Sequence, residues 1–142
     1  MNRYLGVINK LLSGTYVSPF SKKNISLPID EIVIEKSIEN LRFGFTKKLL
    51  NKKNLVISGE NSFNAFGEKV LKTLKSNHLD FDLNILRKYE SSRIFASNLS
   101  ESSKEHENII VIGSGALIDL CKFVSFNNNQ NLIVFCSSLT AA

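Results

Sequence analysis

What the chain has little of narrows its class. It holds two cysteines and two histidines in 142 residues. Cys121 and Cys136 sit in apolar runs and form no CxxC pair, which argues for buried thiols over a disulfide framework or a thiolate metal centre. His78 and His106 lie in polar sequence without metal-like partner spacing and read as solvated side chains. No Ser/His/Asp or Cys/His constellation is present. There is no apolar run long enough to span a membrane and no secretory signal pattern, so a cytoplasmic protein is expected. Nor is there a dense basic block. The 18 Lys and Arg exceed the 13 Asp and Glu by five, but the pairs Lys22-Lys23, Lys47-Lys48 and Lys52-Lys53 are spread among apolar residues. That pattern predicts a solvated surface, not a nucleic-acid footprint, with some excess positive charge to attract an anionic ligand. No internal repeat or low-complexity linker interrupts the chain.

What is present is an ordinary globular composition, 43% hydrophobic and 22% charged, long enough for one domain with a real core. Residues 3–12 carry Tyr4, Leu5, Ile8, Leu11 and Leu12 at helical spacing, ended by Ser13-Gly14. Pro19 keeps that helix from restarting, and residues 15–28 read as an extended connection closed by Leu27-Pro28. Glu31–Glu35 predicts a short strand, and Ser37 a cap for a helix with Ile38, Leu41, Phe45 and Leu49 on one face. A second strand is predicted over Asn54–Ser58, followed by a Gly59-Glu60-Asn61 turn and a helix from Ser62 that carries Phe63, Phe66, Val70, Leu71 and Leu74. Residues 81–86 alternate with period two and predict an edge strand. Arg93–Ala96 reads as another short strand, and 97–108 as a helical turn and surface loop. The runs Ile109–Ile112 and Leu132–Phe135 predict central strands buried on both faces. Strands alternating with helices imply an α/β fold, a Rossmann-like parallel sheet with helices on both faces, preceded by the N-terminal helix.

The chain is organised around Ile109–Lys122, a β-branched run, then Gly113-Ser114-Gly115, then an apolar helix running to Phe126. A strand, a glycine turn and a helix together present bare backbone N–H groups to a phosphate. Glycine suits such a turn because it accepts positive φ and lets an anion approach closely. The spacing is neither the dinucleotide fingerprint, since Ile118 stands where a third small residue is needed, nor a P-loop. A turn without a ligand fits it equally well. Asp119, Lys122 and Ser125 form one thin polar stripe on the helix. Asp119 is open to two readings, an ion pair with Lys122 or a brace for the turn and its ligand. Ser137, Ser138 and Thr140 follow the last strand, where hydroxyls either bond phosphate and ribose oxygens or cap a helix. Glu60 follows the second strand, where an acid either accepts ribose hydroxyls or completes a plain turn.

Four ordered segments carry a family resemblance: Pro28–Ile34, Asn54–Asn61, Ile110–Phe126 and Ile133–Thr140. Together they resemble the N-terminal domain of the iron-type alcohol dehydrogenase and dehydroquinate synthase superfamily. The Gly-Ser-Gly-x-x-x-Asp form is most similar to its sn-glycerol-1-phosphate dehydrogenase branch. The resemblance implies a domain that binds NAD or NADP over 28–142, after an N-terminal helix and connection over 1–27. It implies that Gly113, Ser114, Gly115, Ala116 and Leu117 hold the pyrophosphate with Asp119 beside them. It also implies that Ser137, Ser138 and Thr140 touch the cofactor and that Glu60 meets the adenosine ribose.

The complete enzyme of that family moves a hydride between NAD(P)H and dihydroxyacetone phosphate. A divalent metal (zinc, iron or nickel), held by an Asp and two His of a helical C-terminal domain, polarises the carbonyl. This chain departs from the pattern in having Ser137 for the usual Thr and Ala142 for the usual substrate Asp or Asn, and the helical metal-binding domain is expected to be absent from these 142 residues. His78 and His106 match none of the metal positions. The expectation is therefore a cofactor half, inactive by itself. The alternatives are a non-catalytic remnant or interaction module, or the cofactor half of a dehydroquinate-synthase-like enzyme. Expected partners are the dinucleotide and either the missing C-terminal domain or a second copy in a homo-dimer, with the apolar stripe around Ile8 as the dimer contact.

Overall fold

The structure is a computed structural model that describes residues 3–33, 37–38 and 49–136. The chain divides into two compact units, Met1–Lys36 and Ser37–Ala142.

In the first unit, helix α1 (Arg3–Leu12) ends in a Schellman turn. Thr15 N–H reaches Lys10 O at 2.9 Å and Gly14 N–H reaches Leu11 O at 3.3 Å. Gly14 sits at φ +67°, the left-handed conformation that this cap demands of its residue. The predicted extended connection contains a two-residue antiparallel ladder, β1 (Tyr16–Val17) with β2 (Asn24–Ile25). The strand predicted over Glu31–Glu35 does not form over its described part, 31–33, where apolar Ile32 and Val33 are exposed; Ile34 and Glu35 lie outside the described residues. So does most of the helix predicted after Ser37.

The second unit is the expected α/β layer structure. Its parallel sheet runs, among the described residues, in the order β4 (Asp82–Leu86), β3 (Asn54–Gly59), β5 (Asn108–Gly113), β6 (Asn131–Cys136). Every residue of β3 and β5 is buried, as unbroken apolar runs require when both sheet faces are covered. Successive side chains point to opposite faces. Leu55, Ile57, Ile109 and Val111 pack under α3 (Arg93–Ser103) and α4 (Gly115–Asn127), against Ala96, Leu99, Leu117, Cys121 and Val124. Val56, Ile110 and Ile112 pack on the other face against Val70 and Leu74 of α2 (Glu68–Ser76). Between β3 and α2 the chain makes a helical turn, Glu60–Ser62, and a π-helical turn, Phe63–Gly67.

Three sequence expectations are corrected here. Arg93–Ala96 is not a strand but the start of α3, because Ser92 Oγ caps that end by accepting Phe95 N–H at 3.2 Å. The run Leu132–Phe135 is not a doubly buried central strand. β6 is an edge of the described sheet and stays half-exposed. An apolar run alone does not tell an edge from a centre. His106 is not solvated, since its side chain is 12% exposed and its Nε2 lies 2.8 Å from Asp82 Oδ2.

The amino ends of three strands carry an asparagine ladder. Asn131 Nδ2 donates to Asn108 Oδ1 and Asn108 Nδ2 to Asn54 Oδ1, each at 2.8 Å. Asn54 Nδ2 in turn reaches the carbonyls of Leu49, Lys52 and Asp80. The three asparagines occupy one register level, so the ladder aligns the strands at their base. Beside it Lys52 bonds Glu107, whose carboxyl is thereby held below its usual range.

Candidate functional site

Parallel strands end together, so the carboxyl ends of β3, β4, β5 and β6 form one edge. From β3 the chain leaves by the α2 face toward β4; from β5 it leaves by the α4 face toward β6. Adjacent strands whose crossovers diverge to opposite faces leave a crevice between their ends, the usual ligand position in open α/β sheets. Here that crevice lies between Gly59 and Gly113. Ser58, fully buried, ties its floor by donating from Oγ to the Ile112 carbonyl at 2.9 Å.

Gly113 ends β5, and Ser114 follows in an extended conformation (φ −117°, ψ −179°) as the N-cap of α4, making no side-chain cap bond. Neither Gly113 nor Gly115 has positive φ, so the conformational reason expected for glycine in this turn does not hold. The reason is contact. A Cβ on Gly113 would lie 2.9 Å from Leu117 Cδ2, closer than carbon atoms pack. Glycine lets α4 lie directly against the end of its own strand, with Leu117 sealed in the core.

The start of α4 then decides which N–H groups point outward. Leu117 and Ile118 N–H bond the Ser114 carbonyl at 3.1 and 3.0 Å. Gly115 and Ala116 occupy the first two helical positions, whose N–H groups have no carbonyl one turn back. Ala116 is exposed and Gly115 half-exposed, with no side chain larger than a methyl to block an approaching anion. Two adjacent N–H donors at the positive end of a 13-residue helix are suited to a phosphate oxygen pair.

Asp119 is 72% exposed and lies 3.3 Å from Lys122, the ion-pair reading of the sequence. It also lines a shallow groove of about 220 Å³ between the start of α3 and the outer face of α4, with Ser92, Arg93, Leu120 and Phe123. Glu60 is exposed, immediately after Gly59 at the end of β3. The structure therefore brings Glu60, Gly113, Ser114, Gly115 and Ala116 to one edge of the sheet. Asp119 stands one turn along the helix, and Leu117 serves the core. Ser137, Ser138 and Thr140 lie outside the described residues.

Cys121 faces the core beneath α4, and burial raises its thiol pKa to about 12. Cys136 is half-buried at the end of β6. Among the described residues no cluster of three or more His, Cys, Asp or Glu is placed to hold a metal ion. Nor, among them, is any helix long and apolar enough to cross a membrane.

Two features of this edge escape sequence reasoning. Ser58 looks like one more residue of a strand, and only the register that sets it opposite Ile112 reveals its bond. Tyr89, three residues past the end of β4, folds back over Gly59, and no spacing signal marks it.

Residues 33–141 match the family model described as iron-containing alcohol dehydrogenase. The chain is 32% identical over 107 residues to a glycerol-1-phosphate dehydrogenase [NAD(P)+] of Picrophilus torridus, covering 74% of this chain and 29% of that protein. It is 30% identical to a 3-dehydroquinate synthase of Prochlorococcus marinus, covering 74% of this chain and 33% of that one. Its sheet and helices superpose on a glycerol dehydrogenase from Schizosaccharomyces pombe with a TM-score of 0.53 at 23% identity, over 63% of this chain and 23% of that structure. The chain thus spans a third or less of the length of the curated relatives it matches.

Proposed function

This chain belongs to the iron-containing alcohol dehydrogenase family, and from that premise we propose that it is the NAD(P)-binding part of a glycerol-1-phosphate-dehydrogenase-like oxidoreductase. The observation that carries the reading is the crevice between Gly59 and Gly113, with the Gly115 and Ala116 N–H groups at its rim. In this reading those two N–H groups hold the pyrophosphate. Glu60 accepts the adenosine ribose hydroxyls, and Ser137, Ser138 and Thr140 complete the contacts from the end of β6. Asp119 keeps Lys122 neutralised along the same helix, so that the anion is drawn to the helix end and not to a competing cation.

The dinucleotide, when bound, supplies or accepts the hydride. The chain's own residues bind and orient it. Reduction of dihydroxyacetone phosphate would need the metal-holding helical part that longer relatives have length for. A dehydroquinate-synthase-like substrate is the second reading, favoured by the 30% identity to such a synthase. Both readings use the same crevice.

The test is a calorimetric titration of the 142-residue chain with NADH and NADPH, beside its Gly115→Pro variant. Proline suits the first helical position, and the extended Ser114 before it is the conformation that proline requires. The variant therefore keeps the helix and deletes one N–H donor. Wild type should bind saturably, and Gly115→Pro should bind several-fold more weakly at an unchanged melting temperature. Absence of heat and of any melting shift at millimolar cofactor overturns the proposal.

A further inference from the structure

The positive charge of this chain is not spread evenly. Arg3, Lys10, Lys22 and Lys23 all precede Asp30, the first acidic residue. From Asp30 onward the chain carries 14 basic and 13 acidic side chains, which nearly balance. Most of the net charge of +5 therefore sits on α1 and the β1–β2 hairpin. Asymmetry of this kind marks a surface that meets a polyanion. Nothing local offsets it, since Lys10, Lys22 and Lys23 make no ion pair among the described residues.

The turn of the hairpin is complete in itself. Ser18 N–H donates to the Lys23 carbonyl at 2.9 Å, and Lys22 N–H to the Ser18 carbonyl at 3.0 Å. Ser18 Oγ accepts the Phe20 and Ser21 N–H groups at 3.3 and 3.2 Å, and Ser21 Oγ accepts Lys23 N–H at 3.4 Å. Every N–H from Phe20 to Lys23 is thus satisfied inside the turn. Lys22 is held at φ +55°, a left-handed conformation uncommon outside glycine. None of this uses the Phe20 side chain, which stands 94% exposed at the apex. Val17, one residue before the turn, is 54% exposed. A single exposed apolar residue needs no explanation. A phenylalanine raised on a self-contained turn, beside two lysines and in a stretch without acid, does.

We propose that the β1–β2 turn is a contact for the surface of an anionic lipid bilayer. Phe20 enters the boundary between headgroups and acyl chains, with Val17 and Pro19 following it, and Lys22 and Lys23 stay at the level of the lipid phosphates. Arg3 and Lys10 add long-range attraction. A bilayer needs no matching pocket, because hydrocarbon accepts an aromatic ring and phosphates accept lysines without fixed geometry. A nucleic acid fits less well, since Val17 and Pro19 give a base nothing to stack on. The contact is independent of the dinucleotide reading and uses no residue of the crevice.

The chain has no tryptophan, so Phe20→Trp makes the apex its own fluorescent reporter. The full chain is titrated with vesicles of phosphatidylcholine mixed with phosphatidylglycerol. The emission should shift to the blue and saturate, with no shift on phosphatidylcholine alone and release at high salt. In flotation with the mixed vesicles, Phe20→Ser should bind roughly tenfold more weakly than wild type, and so should Lys22→Gln/Lys23→Gln. Both variants should melt as wild type does, because the turn is held by backbone and serine groups. Failure of the wild type to float with anionic vesicles overturns the proposal. So does flotation that Phe20→Ser leaves unchanged, or that leaves the Phe20→Trp emission still. A blue shift without lipid that grows with protein concentration assigns Phe20 to a contact between copies and overturns it too, as does preference for a single-stranded oligonucleotide over the vesicles.

Discussion

Ser58 Oγ donates a 2.9 Å hydrogen bond to the Ile112 carbonyl, joining β3 and β5 one residue before each strand reaches its glycine. The two residues are register partners, so the bond crosses the sheet where the crevice begins. Ser58→Ala deletes the donor without adding bulk. It should cost about 0.5–1.5 kcal/mol, read as a lower denaturant midpoint at unchanged slope.

Gly113→Ala should cost more. Its Cβ would meet Leu117 Cδ2 at 2.9 Å and Leu117 Cβ at 3.3 Å, and Leu117 is fully buried in the core. Overpacking of this kind costs roughly 1–3 kcal/mol. Since Gly113 lies in a strand with ordinary φ, the loss comes from packing and not from backbone strain. Trimming the neighbour in a Gly113→Ala/Leu117→Ala double variant should therefore show strong non-additivity when the two single variants are compared with it.

The asparagine ladder predicts a large effect far from the crevice. Asn108→Ala leaves the Asn54 carbonyl oxygen buried without its donor and frees the Asn131 amide. A loss of roughly 1–3 kcal/mol is expected, measured by chemical denaturation. Asn54→Ala should be at least as damaging, because its amide serves three backbone carbonyls.

Alkaline stability should report Cys121. Its folded pKa is raised by burial from 9.0 to about 12, so between those values the unfolded chain sheds the thiol proton and the folded chain keeps it. Stability from this group is intact below pH 9 and falls as pH rises, by at most about 1.4 kcal/mol per pH unit. Cys121→Ala should remove that component of the slope while lowering stability at neutral pH. A pH-stability curve for each protein checks it.

Much of this architecture is written in local sequence. The β-branched runs over 54–58 and 109–112 and the period-two alternation of 81–86 all became strands at those places. The strand, glycine turn and helix at 109–126 formed as one unit, because each part has a strong local preference. What failed was non-local or turned on one residue. Arg93–Ala96 has a strand-like core of Ile94 and Phe95, but the Ser92 cap and packing of Ala96 and Leu99 against α4 win. β6 reads as central because its run is apolar, yet its place in the sheet is set by the crossover and not by its residues. At the candidate site, the placement of the glycine turn and of Glu60 at the strand ends was legible from motif and order. Ser58 and Tyr89 were not, since each acts through a partner distant in sequence. The three asparagines did carry a signal: each stands one residue before an apolar strand run.

The most direct test of the dinucleotide crevice is an amide NMR titration of the 142-residue chain with NADH. Saturable shifts are expected that are largest at Gly115 and Ala116, with Gly59 and Glu60 following, while Asn54, Asn108 and Asn131 at the opposite end of the sheet stay still. Shifts centred anywhere else, or none at millimolar NADH, would contradict the dinucleotide reading.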